Sequence, residues 1–182
     1  MRVILPDETV LELPDGASGL DAAREIGPKL AEQAVLVRVN GEVRDVRLPL
    51  RDGERIRFLT TRDRQDPDAL YVLRHSTAHL LAEAARRLYP GTKVAIGPPI
   101  EHGFSYDFEF PEPVSEGALE KLEEEIRRLI SEGREWERTE IGRDEARELF
   151  EQENEPYKVE LVDTAEGDIS LYRQGDFLDL CR

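Results

Sequence analysis

This chain has little of several things, and each scarcity excludes something. There is one cysteine in 182 residues, so no internal disulfide can form, and a single free thiol suits a reducing compartment. No apolar run approaches the roughly 20 residues that span a bilayer. The opening stretch meets Asp7 too early for the apolar core of a secretory signal. The cytoplasm is the expected location. Basic charge is also short, with 25 Lys and Arg against 40 Asp and Glu, a net charge of −15. The deficit is uneven: ten basic against eleven acidic residues lie in 1–62, and fifteen against twenty-nine in 63–182. An acidic surface repels a phosphate backbone. Any role on RNA must therefore rest on a local pocket or on neighbouring domains that hold the polynucleotide. Gly97 and Gly103 fit neither a P-loop nor a dinucleotide fingerprint.

The residues that are present divide in two. Residues 1–61 read as a compact mixed unit. Strands are expected at 2–5 and 9–13 around the Pro6-Asp7-Glu8 turn, then a helix from Ser18 to Ile26 stopped by Gly27-Pro28. Residues 34–39 and 42–46 flank Asn40-Gly41, the strongest hairpin signal in the chain, and 55–59 supply a closing strand. That order suggests a β-grasp, ubiquitin-like fold. Residues 62–68 offer little to a core and read as a linker, with Asp66 or Asp68 capping the next helix. Residues 69–182 read as an α+β domain. Helices are expected at 69–89, 115–132 (apolar stripe Leu119, Leu122, Ile126, Leu129) and 143–152. Strands are expected at 93–96, 104–110, 135–141, 169–172 and 177–180. The chain stops directly after the apolar run at 177–180, an uncommon place for a natural terminus, which suggests a piece of a longer protein.

Few residues here could do chemistry. His75 and His79, four apart, share one helical face. They suit a two-histidine metal site, a pair of acid–base groups around a substrate, or plain solvated helix histidines. Ser76 follows His75 where zincin proteases need glutamate, which disfavours a metalloprotease. Cys181 could join the pair, and with two imidazoles a thiolate would suit zinc; alone, it would be a small buried hydrophobe. Asp179, two residues earlier, would share its strand face. Lys158 is one of only four lysines, and its compact charge would suit an ester carbonyl or a ribose hydroxyl, or merely solvent. Tyr106 could line a pocket or sit in a core. His102 reads as a turn residue, and the acidic runs at 123–125 and 151–155 as solvated helix faces.

Five stretches resemble bacterial-type threonyl-tRNA synthetases: Arg74-His75-Ser76-Thr77-Ala78-His79-Leu80-Leu81, Ala95-Ile96-Gly97-Pro98-Pro99-Ile100, Gly103-Phe104-Ser105-Tyr106-Asp107, Tyr157-Lys158-Val159 and Asp179-Leu180-Cys181-Arg182. Their order and spacing match that family as well. Leu5-Pro6-Asp7 and Arg38-Val39-Asn40-Gly41 resemble its TGS domain. The resemblance implies a β-grasp TGS domain at 1–61 and, at 69–182, most of an editing domain that hydrolyses mischarged seryl-tRNA(Thr). It implies that His75, His79, Lys158 and Cys181 serve catalysis, with His75 or His79 orienting the water or taking its proton. Tyr106 and Asp179 would bind substrate, Asp179 by anchoring the amine, and Cys181 would shape the pocket. The histidine of the family's C-x-x-x-H motif would fall beyond Arg182. The acceptor end of tRNA(Thr) would be the partner. No cofactor is implied for this region, although zinc could bind at His75, His79 and Cys181. ATP, magnesium, zinc and a homodimer interface would belong to domains further along the parent enzyme. Two other readings stay open: a non-catalytic TGS-type interaction module, which leaves the histidine pair unexplained, and a metal-dependent hydrolase built on that pair.

Overall fold

The computed structural model describes residues 1–167 and 169–181, apart from the side chain of Cys181. The chain divides into two compact units, Met1–Arg74 and His75–Arg182.

In the first unit β1 (Arg2–Ile4) pairs antiparallel with β2 (Val10–Glu12). Helix α1 (Gly19–Ile26) opens on a capping box, in which the Ser18 hydroxyl accepts from the Asp21 amide and the Asp21 carboxylate accepts from the Ser18 amide. Gly27 ends α1, and Pro28 then begins α2 (Pro28–Gln33) instead of a loop. A proline has no N–H to leave unbonded and its φ is already helical, so it starts a helix as readily as it stops one. Strand β3 (Ala34–Val39) turns into β4 (Glu42–Asp45) through Asn40 and Gly41, whose φ of 52° and 92° are those of a type I′ turn. β3 pairs on its other side with β5 (Ile56–Thr60). A parallel bridge from Ile4 to Arg55, with the Ile4 amide donating to Glu54 O, sets β1 beside β5. The strand order β2-β1-β5-β3-β4, with α1 against Val37, Val39 and Val46, is a β-grasp. Residues 62–66 fold as turns: Asp63 accepts from the Thr60 amide and hydroxyl, Asp66 accepts from the Asp68 and Ala69 amides, and Arg38 bridges Asp66 and Asp68. Helix α3 (Pro67–Leu88) comes next, and the division between the units falls inside it.

The second unit takes α3 from His75 onward. Its buried face is built largely of alanine, with Ala78, Ala82, Ala84 and Ala85 all fully buried, so other elements approach the helix axis closely. Strand β6 (Lys93–Val94) pairs with β9 (Phe108–Glu109), and the intervening chain doubles back through β7 (Pro99–Ile100) and β8 (Gly103–Phe104). Helix α4 (Ala118–Ser131) begins three residues later than Ser115. Its buried stripe runs from Ala118 through Leu122 to Leu129, which leaves Leu119 76% exposed, outside the core expected of it. Strand β10 (Glu137–Ile141), β11 (Ile169–Gln174) and β12 (Phe177–Cys181) form an antiparallel sheet in that order. Helices α5 (Arg143–Gln152) and α6 (Pro156–Thr164) cover one face, where Phe150 and Val162 meet Leu171, Leu178 and Leu180. Helix α6 is absent from the elements expected from the sequence; Pro156 acts as its first residue. No helix among the described residues is long and apolar enough to cross a membrane.

Candidate functional site

Alternation along β12 builds the site. Leu178 and Leu180 enter the apolar layer under α5 and α6, so Phe177 and Asp179 must face the other way. Asp179 is completely buried there, where an uncompensated carboxylate would be very costly. Every acceptor position on it is used. Oδ2 accepts from His79 Nδ1 at 2.8 Å and from the Tyr106 hydroxyl at 3.0 Å. Oδ1 lies 2.5 Å from Lys158 Nζ and accepts from the Leu180 amide at 2.8 Å. Burial alone would push the Asp179 carboxyl up, but the Lys158 charge and the His79 hydrogen bond overcome it and hold the group well below the ordinary carboxylate range.

Each partner is delivered by a different element. His79 comes from α3, Tyr106 from the loop between β8 and β9, and Lys158 from the first turn of α6. Lys158 is also buried, and its ammonium donates to Ala95 O at 3.0 Å and to the Tyr106 hydroxyl at 3.2 Å. Its three donors are thereby committed to Asp179, Ala95 and Tyr106. Tyr106 stacks on Phe108 with ring centroids 4.8 Å apart, and Gly97 lies against the same ring. A Cβ at Gly97 would fall within the van der Waals envelope of the Tyr106 ring, so glycine is required there by space and not by backbone angle.

The two histidines stack, with centroids 4.7 Å apart and rings 15° from parallel. Asp179 receives the Nδ1 proton of His79 and so fixes its tautomer, leaving Nε2 as the acceptor of the neutral ring. That Nε2 is buried and without a hydrogen-bond partner among the described residues. His75 is only half-buried, yet desolvation, then the neighbouring His79 and Lys158, lower its pKa to about 4, so it is neutral at pH 7. Trp136 tilts against His79 at 5.8 Å and Phe177 packs edge-on to Trp136, closing the apolar side.

Five sequence-selected residues, His75, His79, Tyr106, Lys158 and Asp179, thus converge. The Cys181 side chain lies outside the described residues; its backbone ends β12 opposite Ser170. His102 stands apart, exposed beside Glu101. The resemblance gives Asp179 the substrate amine to anchor; in this structure its acceptor positions are taken by His79, Tyr106, Lys158 and the Leu180 amide. Among the described residues no three His, Cys, Asp or Glu side chains group as metal ligands. The carboxylate nearest the imidazoles is paired with Lys158, and the Cys181 side chain, the third candidate ligand, lies outside the described residues. Sequence reasoning missed Glu83, one helical turn beyond His79 and only 2% exposed, where it pairs with Arg87 and Arg134.

The chain thus joins a β-grasp unit to an α+β unit that carries a buried His–Asp–Lys centre. Residues 1–60 match the TGS domain family. Over its whole length the chain is homologous to threonine–tRNA ligases. It is 45% identical to that of Rubrobacter xylanophilus over 181 residues, which is 99% of this chain and 28% of the relative. It is 45% identical to that of Acetivibrio thermocellus over 183 residues, and 44% identical to that of Citrifermentans bemidjiense, each covering the whole of this chain. The chain spans 28% of the length of these curated relatives.

Proposed function

We propose that residues 1–61 are the TGS domain and residues 69–182 the editing domain of a cytoplasmic threonine–tRNA ligase, and that the editing domain hydrolyses seryl-tRNA(Thr). The observation that carries the reading is the His79–Asp179 pair: it leaves His79 Nε2 buried and without a hydrogen-bond partner among the described residues, while Lys158 and the Tyr106 hydroxyl hold the same carboxylate.

Serine lacks one methyl of threonine, and a methyl changes binding by only about 1–3 kcal/mol. A ligase that selects threonine by binding alone therefore mischarges, and a second site with room only for serine removes the error. The reaction adds water across the ester between serine and the terminal ribose. His79 Nε2 takes a proton from the attacking water, and Asp179 steadies the imidazolium that results. The same proton passes to the ribose oxygen as the ester bond breaks, giving free serine and tRNA. Lys158 has its three donors committed, so it acts on the developing negative charge through its field. His75 is neutral at pH 7 and serves as a hydrogen-bonding group that orients the water.

In this reading the parent enzyme joins threonine to tRNA(Thr) with ATP, and this acidic segment grips only the acceptor end. The test is hydrolysis of seryl- and threonyl-tRNA(Thr) by residues 1–182 and by a chain continued past Arg182. Cleavage of the seryl ester alone, abolished by His79→Ala, is the expected result. Equal cleavage of both esters, or full activity in His79→Ala, would overturn the proposal.

A further inference from the structure

Catalysis by a His–Asp pair needs the two side chains held to a fraction of an ångström, yet His79 and Asp179 sit on elements 100 residues apart in sequence. Something must lock α3 against the β11–β12 hairpin. A buried ionic network lies at that point. Glu83, one turn beyond His79 on the same helix face, accepts through Oε1 from Arg134 Nη2 at 2.7 Å and lies 2.8 Å from Arg87 Nη2. Arg134 reaches on to the hairpin, where Nη1 donates to Gln174 O at 2.9 Å. The side chain of Gln174 returns the contact, Nε2 donating to Arg134 O at 2.9 Å. Gly175 completes the fit, because its φ is +61° and a Cβ there would stand 2.6 Å from Arg134 Nη1. The hairpin end so gripped is where Gln174 pairs with Phe177, two residues before Asp179.

From this geometry we infer that Glu83 and Arg134 are positioning residues for the reaction: they fix the register of β12 against α3, and so bring Asp179 onto His79 Nδ1. Burial supports this, since Glu83 and Gln174 are 2% and 5% exposed, and an arrangement that separated Glu83 from its arginines would leave a buried charge uncompensated. A surface ion pair would impose no such register. Arginine suits the task because its planar fork sends separate terminal nitrogens to the Glu83 carboxylate and the Gln174 carbonyl in a fixed relative geometry, whereas lysine would have to reach both from one nitrogen. The proposal rests on the proofreading reading only for its kinetic consequence. Its structural consequence, the tautomer of His79, is independent of any substrate.

The experiment uses the whole chain, uniformly labelled with nitrogen-15, as wild type, Glu83→Gln and Arg134→Lys. Imidazole nitrogen shifts report the tautomer of His79, assigned with His75→Gln and His102→Gln, and seryl-tRNA(Thr) hydrolysis is measured in parallel. The wild type should show His79 as the Nδ1–H form. Both variants should keep the amide pattern of the β10–β11–β12 sheet, move His79 toward the Nε2–H form, and lose roughly tenfold or more in rate. A folded variant that keeps the Nδ1–H form at an unchanged rate overturns the inference. So does loss of the native amide pattern in both variants, since the network would then serve the fold as a whole. If the tautomer moves while even the wild type cleaves neither ester, the positioning role stands and the proofreading reading falls.

Discussion

His79 Nδ1 and Asp179 Oδ2 lie 2.8 Å apart, joining α3 to the last strand of the chain. Because Asp179 is ionised and fully buried, it fixes which imidazole nitrogen carries the proton. Asp179→Asn keeps the shape but turns a pure acceptor into a group that can also donate, so the preferred tautomer is lost. The expected result is a fall in seryl-tRNA hydrolysis of roughly 10²–10⁴-fold at pH 7. Single-turnover rates on saturating enzyme check it, and a fall of less than about threefold would show that the pair is structural only.

Lys158 makes a separate claim on the same carboxylate. Removing one member of a buried ion pair leaves the other uncompensated, at a cost of about 3–5 kcal/mol. Lys158→Met should therefore destabilise far more than the double variant Lys158→Met/Asp179→Leu, read from urea midpoints. The pH dependence also differs. In the wild type Asp179 is held low, so its contribution is present above the unfolded value near 4 and lost as pH falls. In Lys158→Met the largest charge opposing burial is gone and the carboxyl rises from its wild-type position, so the variant's deficit should be greatest at neutral pH and shrink on acidification. A deficit that is constant with pH would contradict this.

Much of this architecture is legible in the sequence because it rests on local chemistry. Asn40-Gly41 can make only a few turns, the capping residue Ser18 announces α1, and the alternation at 177–180 places Leu178 and Asp179 on opposite faces. Two helices, α2 and α6, stay hidden: Gly27-Pro28 reads as a stop, yet Pro28 supplies the first turn of α2, and Pro156 does the same for α6. The site is legible as a set of residue types, His75, His79, Tyr106, Lys158 and Asp179, but not as a circuit. Nothing local says that Asp179 spends all its acceptors inside the protein. Glu83 and Arg134 are illegible for a plainer reason. In a chain with 40 acidic residues, a buried glutamate cannot be told from a solvated one without the tertiary contacts that bury it.

The contact between Gly97 and Tyr106 predicts a steric dependence. Any Cβ at Gly97 meets the Tyr106 ring, and the ring is held in place by its stack on Phe108. Gly97→Ala should therefore push the phenol away from Asp179 and Lys158, at an overpacking cost of about 1–3 kcal/mol, and slow hydrolysis by roughly 10-fold or more. The coupling identifies the route. In a Tyr106→Phe background the hydroxyl is already gone, so adding Gly97→Ala should slow the reaction little further. Additive losses in the double-mutant cycle would mean that Gly97 acts on something other than the Tyr106 hydroxyl.

His75 predicts a stability change in a distinct pH window. Its pKa is about 4 in the folded chain against an ordinary value of 6.5, so between those values the unfolded chain binds more protons. Stability then rises with pH across the window: the contribution is complete above pH 6.5 and is lost progressively as pH falls toward 4. Since the ring is only half-buried, screening reduces the effect to on the order of 1–2 kcal/mol. The Asp179 contribution is lost only below the unfolded carboxylate range, so the two windows separate. His75→Gln removes the titrating group while keeping a polar side chain of similar length. Unfolding free energies of wild type and His75→Gln, measured in urea from about pH 7 to about pH 4.5, should converge from the wild-type side as acid is added. Parallel curves would mean that His75 ionises as freely in the folded chain as in the unfolded one, and that it is charged, not neutral, when a water is bound beside His79 in mild acid.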